Sequence, residues 1–346
     1  MVLNSMVFFP YSVADAFWLA PLALALDLRF GDPPLPWPHP VVFLGRLLNR
    51  CEVPCRKLLK RLPCPQLFGR LAGLAALFLL VSLSATVVLL LISLPILGPL
   101  FALYFAWAGL AMGSLLSTGD IVRERVENAP LVQARRSLSW LVSRETRQMD
   151  RQLMRKTLAD TMSENFTDAL TAPFFWLLVT GPVGLWIYKA VSTTDSMWGY
   201  LTPQWRYLGW AGARGDDILA FLPARLSIAA IGLSDFCLAH CAPAKRSWKG
   251  RWPGFWQIHK EAWGMPSPNS GCPMAALAWL CKARMAGPSV YFGTLVPKPW
   301  LGPPKEEAEN WDQQRLGELF HCMRLAAILG MSAMWLLAML IVFCIV

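Results

Sequence analysis

The stretch SENFTDALTAPFFWLLVTGPVGLWIYK (residues 163–189) organises the whole chain. It places Glu164, Asn165 and Asp168 directly before residues 169–188, a run of 20 residues without a charge. An apolar run of about this length matches the thickness of a membrane core. Ionisable groups beside such a run are costly to keep, so they form a functional-site hypothesis by default.

Three carboxylates before the run are spaced by one helical turn. On a continuous α-helix, Asp160, Glu164 and Asp168 would share one face and repel one another. A cation or nearby basic groups would relieve that repulsion. Basic residues that could do so follow at Lys189, Arg214 and Arg225. The alternative is a solvated helix end whose acids interact with a nearby helix N-terminus.

The composition is that of a membrane protein. Of 346 residues, 55% are hydrophobic and 16% are charged, against about 25% charged residues in soluble proteins. The mean hydropathy is +0.41. The net charge of +10 is concentrated in particular loops, and no zinc-finger spacing or long basic run favours nucleic-acid binding. The nine cysteines show no regular framework, which favours reduced, unpaired thiols.

Hydrophobic runs predict an all-α, polytopic integral membrane protein with about four to six hydrophobic helices. A first span and a rigid turn region, with its Gly-Asp-Pro-Pro and His-Pro-Val motifs, occupy residues 1–45. Residues 71–119 contain no charge and predict a hairpin of two spans, with its turn at residues 95–99. Residues 325–346 predict the last span. We expect all of these to belong to one membrane-embedded domain, residues 1–346.

Two basic stretches predict the cytoplasmic side. Residues 46–70 hold seven Lys/Arg against one Glu and predict a basic loop. Residues 120–160 hold nine Lys/Arg in a helical pattern. We interpret the second stretch as a cytoplasmic helical arm on or near the membrane surface, the alternative being a charged helix that serves only as a spacer.

The active-site region is predicted over residues 161–302. Its apolar run is broken by Pro173, Gly181 and Pro182. A straight traverse would separate Asp168 from the later carboxylates by the whole bilayer. We therefore expect this segment to be re-entrant or buried among other helices.

Three later segments complete the pattern. Residues 218–233 carry Arg225 as their one charge, which predicts a helix that faces the protein interior. Residues 241–261 form a basic, tryptophan-rich loop typical of an interfacial segment on an anionic leaflet. The polar residues 267–271 precede a short apolar helix over residues 274–286, where hydroxyl, amide and backbone N–H groups could hold phosphate. A plain capping turn is the alternative.

Short motifs recur along the chain in a particular order. They are Asp27…Gly31-Asp32-Pro33…His39-Pro40-Val41, Leu138-Ser139-Trp140, Glu164-Asn165…Asp168…Ala172-Pro173, Tyr188-Lys189-Ala190, Thr193…Asp195-Ser196-Met197…Gly199-Tyr200, Ala213-Arg214…Asp216-Asp217, Pro223-Ala224-Arg225-Leu226, Ser267-Pro268-Asn269, Gly287, Tyr291-Phe292-Gly293 and Lys298-Pro299-Trp300-Leu301-Gly302. In this order and spacing, the chain resembles the adenosylcobinamide-phosphate synthase family of cobalamin biosynthesis (CobD/CbiB type). The resemblance covers residues 15–302.

The resemblance implies a multi-pass enzyme of the bacterial inner membrane, with its active site facing the cytoplasm, that uses ATP and Mg²⁺. Such a ligase joins adenosylcobyric acid to (R)-1-aminopropan-2-ol phosphate, or ethanolamine phosphate, through an amide bond that gives adenosylcobinamide phosphate. Its partners would be these substrates, membrane lipids and other membrane enzymes of the late cobalamin pathway. No G-x-x-x-x-G-K-[ST] motif occurs, so a P-loop cannot hold the nucleotide.

The resemblance gives positions to which physical chemistry assigns hypothetical roles, because Mg²⁺ takes oxygen ligands and phosphate takes basic ones. The predicted catalytic residues are Glu164, Asn165, Asp168, Lys189 and Asp195. The predicted substrate- or phosphate-binding residues are Asp32, His39, Arg214, Arg225, Ser267, Asn269 and Lys298. The predicted metal ligands are Glu164, Asp168, Asp195, Asp216 and Asp217.

Two departures from the family pattern leave other functions open. The chain has Pro273-Met274-Ala275 where the family has Pro-Glu-Ala, and Ser192-Thr193 where it has Asn-Thr. Because this carboxylate is missing, a catalytically silent or divergent membrane sensor or transport subunit of the same family remains an alternative function. A different Mg²⁺-dependent membrane transferase would also use paired acidic motifs, but it would leave the later motifs unexplained.

Overall fold

The fold is known from a computed structural model that describes residues 7–8, 11–59, 64–142, 144–200, 202–241, 250–291 and 294–345. The described structure is 74% helical with almost no strand. This confirms the predicted all-α class.

The elements follow one another along the chain in this order. The helices are α1 (Val13–Phe30), α2 (Pro40–Leu59), α3 (Pro65–Ile92), α4 (Gly98–Gly109), α5 (Met112–Asn128), α6 (Leu131–Leu138), α7 (Arg151–Glu164), α8 (Ala172–Trp198), α9 (Trp210–Leu219), α10 (Phe221–Cys241), α11 (Phe255–Trp263), α12 (Gly271–Leu280), α13 (Gln313–Leu325) and α14 (Met331–Ile345). Two π-helical turns, Thr167–Thr171 and Ala326–Gly330, precede α8 and α14. The short strands β1 (Val7–Phe8), β2 (Tyr11–Ser12), β3 (Met285–Ala286), β4 (Ser289–Tyr291), β5 (Thr294–Val296) and β6 (Trp300–Leu301) pair antiparallel as β1–β2, β3–β6 and β4–β5.

Five helical segments of the described chain are long and apolar enough to cross a membrane, within the predicted range. They are Gln66–Ile92, Gly98–Asn128, Arg151–Trp198, Phe221–Cys241 and Gln313–Cys344. The first span predicted near the amino end is not one of them, because α1 carries Asp15, Asp27 and Arg29 within its 18 residues. The two helices and the turn of the predicted hairpin are present, since α3 ends at Ile92 and α4 begins at Gly98 after a turn that contains Pro95. That the hairpin crosses a membrane stays a prediction.

The chain forms two compact units. Unit 1 comprises Met1–Ala111, Ala172–Ala220 and Met334–Val346, and unit 2 comprises Met112–Thr171 and Phe221–Ala333. The prediction that residues 1–346 make one membrane-embedded domain stays a prediction.

Unit 1 packs α8 among α1, α2, α3, α4 and α9. Trp186 anchors the second half of α8, since its Nε1 donates to the Phe105 carbonyl at 2.9 Å and its own carbonyl accepts from Ser84 Oγ at 3.2 Å. The break predicted in this segment is present at Gly181, where φ is 67° and ψ is −165°. L side chains disfavour this left-handed φ, so glycine permits the kink and Pro182 follows it. The predicted burial among other helices is confirmed, and the re-entrant path stays a prediction.

Unit 2 packs α10 against α12, α13 and both π-helical turns, and α5 against α6 and α7. Arg151 fastens the start of α7 to the end of α5, because its guanidinium donates to the carbonyls of Val126, Glu127 and Ala129. The carbonyls of Val126 and Glu127 are among those that an α-helix leaves without internal partners at its C-terminus, and Ala129 follows directly after the helix. The predicted helical arm over residues 120–160 is therefore three packed helices.

Three predicted loops or helices have different bounds. The basic loop over residues 46–70 is mostly helix, because Leu48, Cys51 and Cys55 form an apolar stripe of α2 that packs with Trp198. The segment over residues 241–261 becomes α11 at Phe255, while residues 242–249, with most of its predicted basic residues, lie outside the described chain.

The helix predicted over residues 274–286 stops at Leu280. Lys282 then adopts a left-handed φ of 52°, a conformation common at helix ends. Met285 and Ala286 continue as β3, which pairs with β6.

Candidate active site

The predicted site residues fall into two groups, one in each unit. Unit 1 holds Asp32, His39, Lys189, Asp195, Arg214, Asp216 and Asp217. Unit 2 holds Glu164, Asn165, Asp168, Arg225, Ser267, Asn269 and Lys298.

In unit 1, the turn region between α1 and α2 meets α8 at His39. Burial lowers the pKa of His39, the Lys189 ammonium lowers this pKa as well, and the Asp32 carboxylate opposes both. The His39 ring also lies 6.4 Å from the ring of Trp186. Three residues that sequence reasoning singled out separately are thus electrostatic neighbours, with a neutral imidazole favoured between an acid and a base.

The other unit 1 residues lie where α9 packs on the end of α8. A Cβ on Gly209 would lie 1.7 Å from the Trp198 carbonyl oxygen, so only glycine allows this approach. Arg214 Nη1 lies 3.5 Å from Asp217 Oδ2 on the exposed side of α9. Burial raises the pKa of Asp217, and Arg214 opposes that shift.

In unit 2, the predicted carboxylate face is interrupted. Asp160 and Glu164 lie on α7, which ends at Glu164, whereas Asp168 lies in the π-helical turn Thr167–Thr171. A π-helix closes i→i+5 hydrogen bonds, so Asp168 does not continue the α-helical register. Asn165 ends α7, where its Nδ2 donates to the Thr161 carbonyl at 2.9 Å. Glu164 interacts electrostatically with Lys298.

The charge of Asp160 is relieved by basic groups rather than by solvent, which excludes for this residue the alternative of a solvated helix end, but the basic groups are not the predicted Lys189, Arg214 or Arg225. Its side chain is fully buried, and Oδ2 accepts from Arg144 Nη1 at 2.7 Å and from Lys156 Nζ at 2.9 Å. Oδ1 accepts from the Ala286 backbone N–H at 2.9 Å, and the Ala286 carbonyl accepts from Lys156. This network holds α7 to β3, whose partner strand β6 carries the predicted motif around Trp300.

Glu261 binds the C-terminal end of the Lys298–Gly302 motif. Its carboxylate accepts from Trp279 Nε1 at 3.0 Å and from the Gly302 backbone N–H at 3.1 Å. Arg284 and Lys156 lie over the Trp300 ring at 4.4 and 5.1 Å. No sequence motif marked Glu261, Arg284 or Lys156, because the contacts that bring them to this motif come from distant parts of the chain.

Arg225 and Asn269 form the most specific pair among the predicted residues. Arg225 Nη1 donates to Asn269 Oδ1 at 2.5 Å and to the Phe221 carbonyl at 3.0 Å. The guanidinium carbon lies 3.8 Å from the Phe221 ring centroid, and Arg225 is 8% exposed. The prediction that this arginine faces the protein interior is confirmed.

Two nitrogens of this buried guanidinium remain for a ligand. Arg225 Nε and Nη2 are buried and have no hydrogen-bond partner within the described chain. Buried donors normally have partners, so this arrangement suits an anion that would complete the fork. His259, on α11, lies beside it, and both burial and the Arg225 charge lower the pKa of this histidine. His259 was missed because the sequence shows it only among the tryptophans of α11.

The Ser267–Asn269 turn leads into α12 without a side-chain cap. Ser270 stands at the N-cap position, but its side chain makes no capping hydrogen bond; its Oγ donates to the Ser267 carbonyl at 3.2 Å. Asn269 Oδ1 accepts from Arg225. The hydroxyl of Ser270 therefore does not cap α12.

The predicted metal ligands are carboxylates, divided between the two units. Within neither unit do three or more His, Cys, Asp or Glu side chains of the described chain form a group that could hold a metal ion. The described side chains therefore form no cage of protein ligands inside a unit. Mg²⁺ often takes only one or two carboxylates beside substrate phosphates and water, which these residues can supply. The metal ligands stay a prediction.

All nine cysteines are unpaired, as predicted. Burial raises the pKa of Cys272, close to Arg225, to about 11, and the guanidinium opposes this shift. Its thiol donates to the Pro268 carbonyl at 3.3 Å. Cys272 is therefore a packing residue rather than a nucleophile.

Comparison with known proteins gives a consistent result. The family model described as CobD/Cbib protein matches residues 20–320. The cobalamin biosynthesis protein CobD of Pelobacter propionicus is 34% identical over 318 residues, which are 88% of this chain and 91% of the relative. The proteins of the same name from Klebsiella pneumoniae and Clostridium perfringens are 34% and 30% identical, over 81% and 90% of this chain and 85% and 94% of their own. No solved structure matches significantly. The chain therefore belongs to the CobD/Cbib family of cobalamin biosynthesis proteins.

Proposed function

We propose that this protein is an adenosylcobinamide-phosphate synthase that joins adenosylcobyric acid to an amino-alcohol phosphate in an ATP- and Mg²⁺-dependent reaction. Family membership supports the pathway, and the buried Arg225 fork beside Asn269 is the observation that carries the reaction. A phosphate monoester brings oxygens that accept from a guanidinium in pairs. The proposal includes a location in the bacterial inner membrane with the active site facing the cytoplasm, and contact with neighbouring enzymes of the pathway.

The reaction needs an activated carboxylate. The carboxylate oxygen of adenosylcobyric acid attacks the γ-phosphorus of ATP, and ADP leaves as an acyl phosphate forms. The amine of the amino-alcohol phosphate then attacks the acyl carbon, the C–O bond to phosphate breaks, and the amine gives up a proton as the amide forms. Mg²⁺, when bound with the nucleotide, neutralises phosphate charge.

The residues of unit 2 divide this work. Arg225 and Asn269 hold the phosphate end of the amino alcohol, which fixes the reach of its amine and lowers the entropic cost of the reaction. Glu164, with Lys298 as an electrostatic neighbour, is proposed to accept the amine proton.

The test is conversion of adenosylcobyric acid by the full chain in membranes, with ATP, Mg²⁺ and either amino-alcohol phosphate. We expect adenosylcobinamide phosphate as product. Arg225→Lys keeps the charge but loses the fork, so it should raise the KM for the amino-alcohol phosphate at least about tenfold. Arg50→Lys, at an exposed position of α2, is the matched control. No product with either substrate would refute the proposal.

The position of Met274 favours testing a second function. Met274 is 1% exposed in α12, a helix whose ten residues are all buried. The carboxylate that the family pattern has here is thus replaced inside packed apolar surroundings. A silent sensor or transport subunit would bind adenosylcobyric acid in this assay without converting it.

A further inference from the structure

Unit 2 contains a cavity of about 470 Å³ whose charged lining is dominated by arginine. Such a volume is typical of pockets for small molecules. The lining comes from α6 and the segment that follows it: Val132, Arg135, Arg136, Ser139, Arg144, Glu145, Thr146 and Arg147. The lining therefore contains four guanidinium groups and one carboxylate, that of Glu145.

Two of the four arginines are held in place. Arg144 is buried, and its Nη1 donates to Asp160 Oδ2 at 2.7 Å. Arg135 Nε donates to the Met149 carbonyl at 2.8 Å. Part of the positive wall is therefore organised before any ligand arrives, which lowers the cost of binding.

The other two arginines, Arg136 and Arg147, are exposed. Their side chains make no hydrogen bond or ion pair with another residue of the described chain. Like charges held around one cavity repel, and an anion between them removes that repulsion. The cavity thus combines a fixed basic wall with two adaptable basic side chains.

We infer that this cavity binds the phosphate groups of a nucleoside triphosphate. Guanidinium groups match phosphate oxygens in charge and in paired hydrogen-bond geometry. No aromatic side chain is among the lining residues described, so nothing there stacks on a base. The cavity should therefore recognise the phosphates and discriminate poorly between nucleotides.

Naming the nucleotide rests on the proposed function, because ATP is the phosphate source that the reaction consumes. An anionic phospholipid headgroup offers related chemistry. A second cavity of unit 2, about 410 Å³, is a weaker candidate, since Asp150 and Glu309 accompany its lysines and arginine. The two sources can be separated by controlling the lipid.

The experiment measures binding of inorganic tripolyphosphate, ATP and GTP to the full-length protein in discs of phosphatidylcholine, without corrinoid. We expect the three ligands to bind within about threefold of one another, because the phosphates carry the affinity. Arg136→Gln with Arg147→Gln should weaken tripolyphosphate binding at least about tenfold. Arg46→Gln with Arg50→Gln, exposed positions of α2, should leave it unchanged. An unchanged melting temperature will show that both double variants fold.

Two outcomes would overturn the inference: wild-type binding of tripolyphosphate by the Arg136/Arg147 variant, or binding of phosphatidylglycerol discs that tripolyphosphate cannot displace. The turnover assay separates this inference from the proposed function. If tripolyphosphate binds through these arginines while no product forms, the cavity assignment stands and the synthase proposal fails. If the wild-type protein forms product while the Arg136/Arg147 variant keeps both its tripolyphosphate binding and its KM for ATP, the synthase proposal stands and the cavity assignment fails.

Discussion

Replacing Asp160 by Asn tests the buried network that holds α7 to β3. Asn keeps the size of the side chain and an oxygen for the Ala286 N–H, but it removes the negative charge between Arg144 and Lys156. Those two side chains are only 6% and 13% exposed. Water therefore cannot replace the lost carboxylate.

The magnitude follows from the loss of one partner in a buried ion pair, which costs about 3–5 kcal/mol. For domains of about 150–250 residues, a loss of 1 kcal/mol in the free energy of unfolding lowers the Tm by about 2–4 °C. We therefore expect Asp160→Asn to lower the Tm of the full chain in neutral detergent by at least about 6 °C. The measurement is thermal unfolding followed by tryptophan fluorescence.

Glu124→Gln is the matched control, because Glu124 is an exposed carboxylate on α5 in the same unit. Its Tm should stay within about 1 °C, since exposed charges contribute little. If Asp160→Asn is as mild as Glu124→Gln, the buried network does not stabilise unit 2, and the argument for a fixed Arg144 fails with it.

Four further predictions follow from individual sites. Asp168→Asn should leave a folded chain but lower turnover at least about tenfold and weaken its Mg²⁺ dependence, as steady-state rates titrated with Mg²⁺ will show; an unaffected rate would remove Asp168 from the site. The pKa of His39 is lowered from 6.5 in the folded chain, so the unfolded chain takes up the proton at a higher pH than the folded chain. The free energy of unfolding should therefore fall as the pH drops below about 6.5. Between about pH 7.5 and 5, His39→Gln should lose less melting temperature than the wild-type protein. An identical loss in both would contradict the lowered pKa of His39. Cys272 should resist maleimide at about pH 8 while exposed Cys64 reacts; equal labelling would show an accessible thiolate. Cysteines introduced at Gln66 and Gln148 should be shielded from an impermeant thiol reagent on the periplasmic side, and their labelling there would reverse the topology.

Much of the fold could be predicted from local properties of the sequence. An uncharged run needs apolar surroundings whatever its neighbours are, so residues 71–119 predicted a hairpin, and Pro95 marked its turn. Gly181 and Pro182 predicted a break in the helix, because the backbone φ angles that glycine permits and proline imposes do not depend on the surrounding fold. A single Arg225 in an apolar helix indicated an interior position, since lipid would penalise its charge.

The site could be predicted only as a set of residue types. The sequence by itself determined the family, the apolar helices and the interior place of Arg225. The tertiary structure alone decided that Asn269, 44 residues away, would meet that arginine, and that Asp160 would bind Ala286 across 126 residues. It also decided that a π-helical turn would interrupt the carboxylate face before Asp168. Hydrophobicity and backbone preferences act locally and repeat along the chain, whereas the partner of a buried polar group depends on which distant segment packs against it.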